Sequence, residues 1–228
     1  MQKQRAYVLL STALALMVAC GDSSGPAVDR NDPGTGTGTL SVTADIDGQD
    51  VSGGIVTDMD VQVRNAQGQP VSGAMVTIRN GTLGTTTLFE SGQGTGDYTA
   101  RVNGFGAGDY RLDVVAGADR VENVVVGGIG IHTIQSPTMA TVVPASQPLT
   151  VTWTRPAEAF RADVESREYE VQDILDTGSH IIPAVDVRVR TDERIRVRRD
   201  NQVTIAGGLS GSRLQLELRR TVEPIVVQ

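Results

Sequence analysis

A single cysteine, Cys20, stands in 228 residues. That excludes a disulfide framework and any site built on several thiols. Lysine occurs once, at Lys3, so every later basic residue is an arginine. Histidine occurs only at His132 and His180, with no cysteine near either, and a metal site would need several carboxylates to converge on one of them. No metal is expected. Aromatics are 4% of the chain, with one tryptophan; once strand cores are filled, little remains for a sugar-stacking platform. The one long apolar run, residues 6–19, is too short to span a bilayer comfortably. The net charge is −7, which argues against a polyanion-binding protein, and no nucleic-acid partner is expected.

That apolar run has a context. Lys3 and Arg5 precede it, and Met17-Val18-Ala19-Cys20 close it. A basic region, a short apolar region and a small residue before the cut are the parts of a secretory signal peptide. The terminal Ala19-Cys20 resembles the lipobox of bacterial lipoproteins. The resemblance implies cleavage before Cys20, a lipid thioether on its sulfur, acylation of the new amine with palmitate-type chains, and a membrane partner reached through that lipid. Gly21 after the cysteine implies the outer membrane. Residues 21–39 have no apolar period and are rich in Gly, Ser, Thr and Asp, the composition of a flexible tether. Its reach is roughly 25 Å. Within it, Gly21-Asp-Ser-Ser-Gly-Pro26 resembles the signature around the nucleophile of trypsin-like proteases. No histidine precedes it, and no catalytic role is expected.

From Leu40 the chain becomes short β-branched runs between Gly, Asn and Asp, a strand-and-turn pattern. Residues 40–46 alternate and meet Asp47-Gly48, a hairpin turn signal. The carboxylates at Asp45, Asp47 and Asp50 have a calcium-loop spacing, but position 12 of such a loop is Val56, and a turn is the better reading. Gly92–Tyr98 and Gly104–Tyr110 are near copies, each leading into a strand. Strands after these glycines, where a nucleotide fingerprint needs a helix, argue against a cofactor. The run from Val61 to Ile78, with Gly96-Asp-Tyr98 and Gly108-Asp-Tyr110, resembles the carboxypeptidase regulatory-like (transthyretin-like) domain. Bacterial immunoglobulin-like adhesin repeats share nearly the same pattern. Either resemblance implies a sandwich with a spacer or binding role and no catalytic residues.

In the second half, Leu149-Thr-Val-Thr-Trp-Thr-Arg-Pro156 resembles the B strand of a fibronectin type III domain. Leu149, Val151 and Trp153 alternate inward, so the lone tryptophan fills a small core. Residues 162–174 form a strand or, from Glu165, a short helix. Strands are expected over 185–190, 194–198, 202–205, 213–218 and 224–227. Alternation places Val187, Val189, Ile195 and Val197 inward, and Arg188, Arg190, Arg194, Arg196 and Arg198 on one outer face of two strands joined at 191–193. Such a ladder needs negative partners. Asp163, Glu165, Glu168 and Glu170 are the nearest, and an external anion is the alternative.

The sequence therefore predicts an all-β chain: two antiparallel Greek-key β-sandwich domains in tandem after a signal peptide and tether. The divisions are 1–19 signal, 20–39 lipidated linker, 40–130 first sandwich and 131–228 second sandwich. The expected role is a lipid-anchored, non-enzymatic interaction or spacer module of the cell envelope, with an envelope protein or polysaccharide as partner. Its rival is an accessory substrate- or polysaccharide-binding subunit of an envelope enzyme or transport system.

Overall fold

The computed structural model describes residues 30–228. The leader, Cys20 and the start of the tether lie outside them. The described chain is all-β, with one 3-10 turn at Ala184–Asp186. In the first sandwich, β2 (Leu40–Val51), β3 (Gly54–Asn65) and β6 (Asp97–Asn103) face β5 (Gly84–Glu90), β4 (Met75–Asn80), β7 (Tyr110–Ala116) and β8 (Asp119–Val126). Strict alternation explains the packing: Leu40, Val42, Ala44 and Ile46 of β2 all point into the core. Burying each large aliphatic contributes about 1.5–3 kcal/mol. β4, β5 and β6 follow one another as hairpins, and β7 returns beside β4, which is a Greek key. β5 pairs β4 over its first five residues and β6 over its last two, so the sheet folds over there.

The second sandwich repeats the three-against-four plan, an immunoglobulin- or fibronectin III-like β arrangement. β9 (Ile134–Ser136), β11 (Leu149–Trp153) and β14 (Ser179–Ile182) form one layer. β12 (Arg161–Glu165), β13 (Glu170–Ile174), β15 (Arg190–Thr204) and β16 (Arg213–Val227) form the other, with β10 (Val142–Val143) beside β16. Residues 161–174 thus make a hairpin, and no helix forms over 165–174.

β15 and β16 are fifteen residues each, about 50 Å at the usual rise. They run through both cores. Ile195, Val197, Ile225 and Val227 pack with Trp153, whereas Val203, Ile205, Leu214, Leu216 and Leu218 pack in the first core. β16 pairs with β2 in parallel register over 213–219, so one continuous sheet passes between the sandwiches. Among the described residues, this pairing and β10–β16 are the parallel ones.

Three expectations are corrected. Asp47-Gly48 does not turn; β2 runs through it to Val51. Glycine is there because a Cβ would stand 2.5 Å from the Phe105 ring and 2.8 Å from Leu218. Residues 30–39 are not free tether. Asp32 bridges Val125, Ala206 donates to Pro33, and β1 (Thr35–Gly36) pairs β8. Gly36 permits this approach, since a Cβ there would lie 2.4 Å from the Gly207 carbonyl oxygen. Finally, residues 187–189 are not strand, and 190–204 is one strand where two were expected. Val187 is buried as expected, but Val189 is 74% exposed.

Candidate functional site: the groove between the sandwiches

Where the cores meet, β15 carries Arg199, fully buried. The parity that sends Ile195 and Val197 inward sends Arg199 inward too, the signal in Val197-Arg198-Arg199 that sequence reasoning missed. Its Nε and Nη2 donate to Asp176 Oδ2 at 2.9 and 2.6 Å, its Nη1 to the Ile129 carbonyl at 2.8 Å, and its Nη2 also to the Ala157 carbonyl. Trp153 Nε1 donates to Asp176 Oδ1 at 2.8 Å. A buried ion pair is tolerable only when its remaining polar atoms are satisfied, and the two carbonyls and the indole N–H do that. Ile129 belongs to the first core and Trp153 to the second, so the cluster ties the two together.

Beside it opens a groove of about 1000 Å³. Phe160 and Leu175 stand on it, 65% and 76% exposed. The Arg161 guanidinium carbon lies 5.3 Å from the Phe160 ring centre. Arg30, Arg155 and Arg161 also line the groove, and each has a carboxylate: Asp109 at 3.1 Å, Asp176 at 3.4 Å and Asp173 at 2.7 Å. Asn201 fixes the floor, donating to the Gly127 and Glu158 carbonyls and accepting from the Phe160 amide. The wall is therefore preorganised, nearly charge-balanced, and offers apolar surface with amide and guanidinium groups around it.

The arginine ladder lies elsewhere and is neutralised within the fold. Glu165 takes Arg194 at 2.8 Å and Arg196 at 3.2 Å. Arg198 meets Asp163 and, at 3.1 Å, Glu217. Glu168 takes Arg190 and, at 3.7 Å, Arg188. Glu170 instead accepts from Gln172. Glu193 is turned inward, accepting from the Arg167 and Arg194 amides, and the strand register shifts on both sides of it. That irregularity replaces the expected turn at 191–193.

The histidines do not converge. His132 is wholly buried, with Nε2 3.0 Å from the Val197 carbonyl. Burial pushes its pKa down to about 4. His180 Nε2 lies 2.8 Å from the Tyr169 hydroxyl. Among the described residues no group of three or more His, Cys, Asp or Glu could hold a metal ion. Nor is any helix among them long and apolar enough to cross a membrane.

No protein-family model and no curated protein matches the chain. Among solved structures, it is similar to the fibronectin(III)-like modules of Clostridium thermocellum CbhA: 18% identity, 78% of this chain, 92% of that one, TM-score 0.26. It is also similar to the Yersinia pseudotuberculosis adhesin InvE: 15% identity, 80% of this chain, 60% of that one, TM-score 0.28. A third is SGBP-B of the Bacteroides ovatus mixed-linkage glucan utilization locus, in complex with a heptasaccharide: 12% identity, 83% of this chain, 60% of that one, TM-score 0.19. At scores this low no argument follows from the likeness.

Proposed function

We propose that the chain is a lipid-anchored protein of the cell envelope, a non-enzymatic interaction or spacer module that holds a rigid two-sandwich body off a membrane. The carrying observation is the C-terminal hairpin running through both cores. A connection of this kind joins the sandwiches through a shared hairpin, so whatever the groove holds is held in a fixed place relative to both cores. The groove is the face offered to a partner, because its side chains are fixed by the fold and Phe160 and Leu175 are left uncovered. The arginine ladder is not that face, its charges being taken up internally.

Anchoring rests on Lys3, Arg5, the apolar run and Ala19-Cys20. The test is Cys20→Ser in the native envelope with radiolabelled palmitate. The wild type should take up label and fractionate with membranes, and the variant should do neither. A Ser variant that still labels and sediments with membranes would place the anchor elsewhere.

A further inference from the structure

Four carboxylates line up across four adjacent strands of the continuous sheet. Register sets Asp58 of β3 against Asp47 of β2, Asp47 against Glu217 of β16, and Glu217 against Asp200 of β15. The β2–β16 pairing is what attaches the C-terminal hairpin to the first sandwich, so the middle of the row lies on that seam. Like charges placed directly opposite each other destabilise a strand pair.

The surrounding cations cancel the row unevenly. On β6, Arg101 reaches Asp58 at 3.5 Å. Arg198 of β15 and Arg219 of β16 reach Glu217 at 3.1 and 3.6 Å, and Arg198 is shared with Asp163 of β12. Arg213 is taken by Asp45, and Asp60 of β3 stands opposite Asp45. Arg161 of β12 lies opposite Asp200 in register but pairs with Asp173. Among the described residues no ion pair reaches Asp47, and its buried Oδ1 finds no hydrogen-bond donor.

A proton on Glu217 resolves both problems. It gives Asp47 the missing donor and removes one of two facing charges. We propose that the seam between β2 and β16 is a proton-held joint: Asp47 and Glu217 share one proton across it, and losing that proton to water loosens the grip of the hairpin on the first sandwich. Burial and the neighbouring Asp47 support this by raising Glu217 to about 7. Burial likewise raises Asp200.

The sign follows from linkage. Glu217 has a folded value above its ordinary 4.5, so its contribution is complete below about 4.5 and is lost as pH rises through about 7. His132 acts oppositely: its folded value of about 4 lies below the ordinary 6.5, so its contribution is lost as pH falls through that window. A global unfolding midpoint would mix the two. The seam itself must be read.

The experiment is amide hydrogen exchange along residues 213–219 of the whole protein, expressed as protection relative to the intrinsic rate at each pH. Protection should fall by about tenfold per pH unit between the ordinary and the raised value of Glu217 and level off above it, while β4–β7 amides stay flat. Glu217→Gln keeps a donor toward Asp47 and cannot ionise, so its seam protection should not change with pH. A flat wild-type profile, or a Gln variant that falls as steeply, would overturn the proposal. Should the variant fail to fold, carbon-13 titration of the wild-type Glu217 carboxyl decides: a midpoint near neutrality supports the joint, and one in the ordinary carboxylate range refutes it.

Discussion

Trp153 and Arg199 meet on one carboxylate, Asp176, and each reaches it from a different direction. Trp153 was legible in the sequence, because Leu149, Val151 and Trp153 alternate and the lone tryptophan needs a core. Asp176 was not legible: it sits in Leu175-Asp-Thr-Gly178, which has the composition of any turn, and its partners lie 23 residues away. Trp153 is 3% exposed, so Trp153→Ala should cost about 3–5 kcal/mol in urea unfolding. Trp153→Phe keeps most of the volume but removes the donor to Asp176 Oδ1, and should cost about 1–3 kcal/mol. A loss under about 1 kcal/mol for the alanine variant would mean that the second core does not depend on this ring.

Among elements, strands with strict alternation were readable, as in β2, β11 and the inward set of β15. What escaped was decided by distant neighbours. Gly48 carries a turn signal locally, yet the Phe105 ring and Leu218 fill the space a side chain would need, so the strand continues. Residues 30–39 have a linker's composition, but glycine lets their backbone lie against β8 and Gly207. Inward-turned Glu193 joins what alternation alone splits into two strands. The ladder on β15 gives a prediction at this scale. Arg194 and Arg196 share Glu165, which is 31% exposed, and exposed pairs contribute only about 0–1 kcal/mol each. Arg194→Ala with Arg196→Ala should therefore lower stability modestly, and binding to anionic vesicles or polysaccharide should be negligible before and after. Salt-sensitive binding by the wild type that vanishes in a stably folded double variant would show that the ladder faces an outside anion.

Across the whole molecule, composition and periodicity announced two sandwiches, and their separateness is what the topology changes. No local pattern in residues 203–218 marks them as part of the first core. They join it because β16 finds β2 in parallel register, a pairing between segments about 170 residues apart in sequence. The central claim is that this shared hairpin makes the two sandwiches one folding and mechanical unit. Its most direct test is equilibrium urea unfolding followed by two probes in one sample. Fluorescence of Trp153, the only tryptophan, reports the second core, and NMR methyl signals of Val76 and Val114 report the first. Coincident transitions with one midpoint and one slope are predicted. Two transitions separated in urea, with the first core intact after Trp153 is exposed, would contradict it.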